Sequence, residues 1–202
     1  MRMSDVIAEP YHRSNRHLIS RIRLIEGDLT QENDVEAVVT TIPLSLKAEG
    51  SLNTALFAAA GAKMDDFLLE HVLKPQPGQV FAVPGFNMAA PYILFVITPE
   101  WRVGDFLEDR DLLRCYRSAI QTAREMGLKK IAFAALGTGA RTYPAKRAAR
   151  LGIQGIMDRI DESIEEVRIV CNRRETFTAF HDWLVHYGWE GFKPPSSQIP
   201  HS

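Results

Sequence analysis

The sequence predicts a single α/β domain built on a mixed, mostly parallel six-stranded sheet with helices on both faces. Three observations predict it. Short β-branched apolar runs alternate along the chain with longer helical patterns. Two neighbouring runs are joined by PGFNMAAP (residues 84–91) with no helix between them, so that pair can lie antiparallel while strands separated by helices lie parallel. One run, IAFAAL (131–136), is apolar throughout, as a strand covered on both faces must be.

In chain order, strands are expected at RIRLI (21–25), EAVVT (36–40), QVFAV (79–83), YILFVI (92–97), IAFAAL (131–136) and VRIVC (167–171). Helices are expected at SLNTALFAAA (51–60), DDFLLEHVL (65–73), DLLRCYRSAIQTAREM (111–126), AKRAARLGIQGIMDRI (145–160) and ETFTAFHDWLVHY (175–187). Gly61, Gly127 and Gly188 follow three of them as stop signals, and Pro75 follows a fourth. Residues 1–19 lack apolar periodicity, and 190–202 (EGFKPPSSQIPHS) hold three prolines, so both ends are expected to be flexible tails around a domain at 20–189.

The 202 residues suffice for one sizeable core, and 46% hydrophobic with 24% charged residues is an ordinary globular composition. A net charge of −1 supplies no global positive field to draw the protein onto nucleic acid or anionic lipid. The polar start has no signal-peptide pattern, and no run of about 18 apolar residues offers a membrane span. Cys115 and Cys171 lack a CxxC partner, and the six histidines form no HxH or HExxH pair. Two reduced core thiols in a cytoplasmic protein are expected, with no metal and no cofactor.

The chemistry-bearing signal is IAFAALGTGARTYPAKRAARLG, which passes from a buried-strand pattern through Gly137-Thr138-Gly139-Ala140-Arg141-Thr142-Tyr143-Pro144 into a helical pattern. Glycines permit positive φ and let amide N–H groups approach an anion, and the following helix N-terminus adds partial positive charge. Pro144 suits the first helical turn. The loop is neither a Walker A loop, lacking Gly-Lys-Ser/Thr, nor a Rossmann loop, having Thr142 where a third glycine belongs. The same sequence also serves as a tight turn without a ligand. Gly27-Asp28-Leu29-Thr30 and the segment from Thr40 follow strands expected to end on the same edge, where open α/β sheets place ligands. Asp28 can accept from an exocyclic amine such as adenine's; locally it reads equally as a turn or cap aspartate.

Taken together, GDLT (27–30), VEAVV (35–39), AAAG (58–61), PGQVFAVPGF (77–86), ITPEW (97–101), LLRCYRSAIQTAREMGLKKIAF (112–133) and GTGARTYP (137–144) resemble the macrodomain family in order and spacing, over roughly residues 20–185. The resemblance implies a three-layer α/β/α fold that binds ADP-ribose or a derivative, free or attached to a protein. It implies that Asp28 takes the adenine amine, with the Leu29 N–H nearby. Gly137, Thr138, Gly139, Ala140 and Arg141 would line the diphosphate. Ser51, Leu52 and Asn53, opening the helix that follows Gly50, would lie along the other side with Thr40.

The chain also departs from the family. Thr40-Thr41-Ile42-Pro43 stands where members carry asparagines against the distal ribose, so two amide side chains and one N–H are missing. Asn53 stands where hydrolytic members often have an aspartate, and a neutral amide cannot accept a proton from water as a carboxylate does. Arg141 and Thr142 replace an aromatic and a glycine; Arg141 is either a bidentate phosphate contact or a solvated surface residue. The resemblance therefore implies a binding module for ADP-ribose, or alternatively a hydrolase of ADP-ribosyl esters or O-acetyl-ADP-ribose with a relocated base, or a macrodomain-shaped protein whose ligand is different or absent. Glu49 and Asn53 are the candidate catalytic residues, and Lys47 is a further candidate phosphate contact.

Overall fold

In the computed structural model of the chain, the described residues are 13–97, 106–139 and 143–195. Six strands form one sheet in the order β1-β6-β5-β2-β4-β3. They are β1 (Ile22–Glu26), β2 (Ala37–Ile42), β3 (Val80–Pro84), β4 (Tyr92–Ile97), β5 (Lys130–Ala134) and β6 (Glu166–Cys171). All neighbouring pairs are parallel except β3 and β4, the pair joined without a helix, which are antiparallel. Five α-helices complete the fold: α1 (Gly50–Ala60), α2 (Lys63–His71), α3 (Phe106–Glu125), α4 (Ala145–Met157) and α5 (Arg174–His186).

Register and pleat show that both faces are covered. Thr40 of β2 pairs with Phe95 of β4, and the preceding residue Val39 pairs with Phe133 of β5, so Phe95 and Phe133 project to opposite faces. Phe95 meets Phe57 of α1 with ring centroids 5.8 Å apart, whereas Phe133 stacks on Tyr116 of α3 at 5.5 Å. With helices on both sides, β4 is buried from Ile93 to Ile97, which accounts for its unbroken apolar sequence.

Helices α3 and α4 cross closely because α4 has glycines where they meet. A Cβ at Gly155 would stand 2.6 Å from the Cβ of Tyr116 and 3.0 Å from the Leu113 carbonyl, and one at Gly152 would stand 2.8 Å from the Tyr116 ring. Tyr116 therefore occupies the space these two residues leave and reaches the sheet beneath.

The packed unit extends past the bounds expected at 20 and 189. A 3-10 helix at Arg13–Arg21 buries Leu18 and Ile19 in the core. At the other end, the Lys193 N–H donates to the Ser20 carbonyl at 2.7 Å and the Arg23 guanidinium lies 4.0 Å over the Phe192 ring. An isolated Leu-Ile doublet is too short to show a period, which is why the sequence pattern begins one element late.

Cys115 and Cys171 are free and buried, and burial pushes each thiol up to about 12. Among the described residues, no helix is long and apolar enough to cross a membrane.

Substituting Gly155→Ala should lower the unfolding free energy by about 1–3 kcal/mol through overpacking against Tyr116, even though alanine is the better helix former. Urea denaturation checks this; an unchanged or higher midpoint would show that the helices separate at no cost.

Candidate functional site

Strands β1, β6, β5 and β2 are consecutive in the sheet and parallel, so their carboxyl ends lie side by side on one edge. The segments leaving those ends enclose a cleft of about 640 Å³. That size falls within the roughly 300–1,000 Å³ of small-molecule sites. Gly27, Asp28 and Leu29 contribute after β1, Asn172 after β6, and 135–139 after β5. Thr40 and Thr41 at the end of β2, Pro43 just beyond it, and Glu49 to Asn53 at the start of α1 supply the rest.

The glycine loop is held by its own backbone and by Tyr116, Arg173 and Tyr143, none of which is in the cleft lining. Leu136 has left the strand, and its buried N–H donates to the Tyr116 hydroxyl at 2.9 Å. Burial pushes that phenol far above its ordinary range, so it stays protonated. The Thr138 hydroxyl and N–H both return to the Ala135 carbonyl, at 2.8 and 3.3 Å, and the Thr138 carbonyl accepts from the Arg173 guanidinium. At the exit, the Tyr143 N–H donates to the Gly137 carbonyl at 2.9 Å, and the Tyr143 hydroxyl donates to Asp109 of α3. Burial first, then that bond, pushes the Tyr143 phenol well up. Asp109 also takes Arg147 at 2.6 Å and Arg150 at 3.5 Å, both from α4, so one carboxylate ties α3, α4 and the loop together.

The glycines divide the work differently from the sequence reading. The positive φ, +84°, is at Gly137, where a Cβ would already touch Tyr143 and Leu112. Gly139 has no such φ, and a Cβ there would meet nothing within 4 Å among the described residues. Gly137 is thus a requirement of the fold, and Gly139 keeps space open at the cleft. Pro144 lies at the N-cap of α4, one position before the helix, and its carbonyl accepts the Ala148 N–H at 2.9 Å.

On the opposite wall, Asn53 is buried and its amide is engaged in both directions. Nδ2 donates to the Thr41 carbonyl at 2.7 Å, and Oδ1 accepts from the Thr40 hydroxyl at 3.3 Å. The side chain clasps α1 to the end of β2. Glu49 precedes α1 with no side-chain capping bond, and Lys47 is exposed and outside the cleft lining. Asp28 caps the short 3-10 helix Leu29–Gln31: its Oδ1 accepts both the N–H and the hydroxyl of Thr30 at 2.9 Å. The cap reading of Asp28 is thus correct, and the residue lines the cleft as well.

The cleft therefore gathers Asp28, Leu29, Thr40, Glu49, Ser51, Leu52, Asn53, Gly137, Thr138 and Gly139. Ala140 and Arg141 lie outside the described residues. Sequence reasoning missed Glu26, Val170 and Asn172, which complete the wall beside Asp28. The register would have found them, since Glu26 pairs with Cys171 and the chain beyond both strands opens on the same edge. Arg173 and Tyr116 had no local signal, because each acts on a loop residue 20 or 35 positions away.

The profile of the Macro domain family matches residues 39–152. The chain belongs to the macrodomain family. It is 33% identical over 163 residues to a Macro domain-containing protein of Methanosarcina mazei, covering 78% of this chain and 84% of the relative. It is 30% identical over 176 residues to a Salmonella gallinarum protein named O-acetyl-ADP-ribose deacetylase, covering 85% of this chain and 98% of that one. In structure it is similar to a mutant of the Oceanobacillus iheyensis macrodomain solved with ADPR: TM-score 0.73, 23% identity, 81% of this chain and 91% of that one covered. This last likeness carries the macrodomain fold, with its mixed sheet between helices.

The two loop glycines should separate in stability measurements. Gly137→Ala should cost about 1–3 kcal/mol, since it forces a side chain into positive φ, while Gly139→Ala should leave the unfolding midpoint nearly unchanged. Equal losses at both positions would contradict the assignment.

Proposed function

We propose that this macrodomain binds ADP-ribose or a closely related adenosine diphosphate ligand in the cleft at the carboxyl edge of the sheet. The observation that carries the reading is the meeting of Asp28, from the end of β1, with Gly137 to Gly139, from the end of β5, in one cavity faced by the N-terminus of α1. A carboxylate oriented by its own turn suits an exocyclic amine as hydrogen-bond donor. A glycine loop with open space at Gly139 suits a diphosphate, which backbone N–H groups and the positive end of α1 stabilise.

In this reading the adenine lies between Asp28, Leu29 and Asn172. The diphosphate runs along 137–139, and the distal ribose points toward Thr40, Pro43 and Ser51. The distal end is poor in free hydrogen-bonding groups: the Thr40 hydroxyl and the Asn53 amide bind one another, and Pro43 has no N–H. Binding energy then comes mainly from the adenosine diphosphate portion. The ligand is either free or carried on a modified protein, since the cleft is open to solvent on one side.

A second reading, hydrolysis of ADP-ribosyl esters, is favoured by the name of the Salmonella relative. Against fast turnover stands the chemistry of the wall: Thr40 to Pro43 and Asn53 provide no carboxylate, and the Asn53 amide is already engaged. A positioned general base contributes about 10² to 10⁴ in rate, so its absence leaves slow turnover supported by ligand positioning alone. Glu49 is the carboxylate in the lining nearest in sequence to that wall and is the residue to test.

Calorimetric titration with ADP-ribose should show binding. Gly139→Val should weaken it at least about tenfold, roughly 1.4 kcal/mol, in a protein that remains folded because the new side chain enters open space. Unchanged affinity would place the ligand elsewhere.

In an O-acetyl-ADP-ribose assay, turnover should be slow and the same in Glu49→Gln as in the parent protein. Rapid hydrolysis abolished by Glu49→Gln with binding retained would establish the hydrolase and identify its base.

A further inference from the structure

We propose that Arg173 is the positioning residue of the diphosphate loop, turning the Gly139 N–H toward the ligand by holding the other end of the same peptide unit; this rests on the ADP-ribose reading of the cleft. The sequence NRRE (172–175) follows β6, and its three first residues have separate duties. Asn172 lines the cleft, Arg174 pairs with Glu26 at 2.6 Å on the surface, and Arg173 donates through Nη2 to the Thr138 carbonyl. Arg173 is absent from the cleft lining, so it serves the site through the loop and not by contact.

The geometry of a trans peptide makes that bond decisive. The Thr138 carbonyl and the Gly139 N–H belong to one planar unit and point in opposite directions. Fixing the carbonyl on Arg173 fixes the direction of the N–H. Every other polar group of Thr138 is already engaged with Ala135, so the residue has no freedom to rotate its plane by exchanging partners. The Gly139 N–H, in contrast, makes no hydrogen bond among the described residues, and the space around the Gly139 Cα is open. A guanidinium behind the peptide also polarises it, strengthening the N–H as a donor to an anion. The same arginine sits at the N-cap of α5, where a guanidinium, having donors and no acceptor, cannot serve the helix N–H groups.

The experiment compares the full-length protein with Arg173→Met, which removes donor and charge, and Arg173→Lys, which restores both in another shape. Two readouts are taken: the Gly139 amide resonance of ligand-free, 15N-labelled protein, and affinities for ADP-ribose and for adenosine. Arg173→Met should shift the Gly139 amide and weaken ADP-ribose about tenfold, the scale of a lost charged hydrogen bond, while adenosine, which has no phosphate, changes less than about twofold. Arg173→Lys should recover part of both effects. If the parent protein fails to bind ADP-ribose, the functional reading fails while the Gly139 resonance still reports the clamp. If the parent binds and Arg173→Met binds equally well, or loses ADP-ribose and adenosine alike, the positioning role is overturned. Should Arg173→Met not fold, the same two readouts on Arg173→Gln, a donor without charge, decide the matter.

Discussion

The backbone from Leu136 to Gly139 has left the sheet, and everything proposed for the cleft depends on how its polar groups are then satisfied. Buried peptide groups must find partners. If those partners came from the cleft side, no donor would remain for a ligand. Here they come from the protein itself, two of them from residues outside the cleft lining. Tyr116 takes the Leu136 N–H, Ala135 takes the Thr138 N–H and hydroxyl, and Arg173 takes the Thr138 carbonyl. The two small residues Gly152 and Gly155 belong to the same device, since they make the room through which Tyr116 reaches the sheet. A helix crossing, a buried phenol and an arginine at the start of α5 thus act on one four-residue stretch.

The two ends of the cleft differ in character. Beside Asp28 the walls retain polar groups: the second carboxylate oxygen of Asp28 has no partner among the described residues, and Asn172 stands opposite. Beside Pro43 the Thr40 hydroxyl and the Asn53 amide are engaged with the protein itself, with Asn53 fastening α1 to β2. In the proposed binding mode such a site would select at the adenosine diphosphate end and be permissive at the other, as recognition requires more than rapid chemistry does.

Much of the fold was legible in the sequence, since every strand, and every α-helix except α3 at its start, begins and ends within a few residues of its pattern. The misses have physical reasons. IAFAAL reads as a strand to Leu136, yet the ladder stops at Ala134, because Ala135 and Leu136 are within or beside the core while their backbones have left the pairing. Helix α3 starts at Phe106, ahead of the expected Asp111, because the first turn carries Glu108, Asp109 and Arg110 and hides the apolar stripe that begins at Leu112. At the site, Asp28 and the glycines were legible because turn chemistry is local. Their supports were not: Arg173 to Thr138, Tyr143 to Asp109 and Tyr116 to Leu136 join residues that only the folded chain brings together.

A crystal structure of the ADP-ribose complex distinguishes a diphosphate held on the glycine loop from one placed elsewhere. The adenine amine should lie on Asp28 and the diphosphate against the Gly139 N–H, with the Arg173–Thr138 and Tyr116–Leu136 bonds intact. A ligand bound elsewhere, or a diphosphate seated away from the glycine loop with the Gly139 N–H turned from it, would contradict this binding mode.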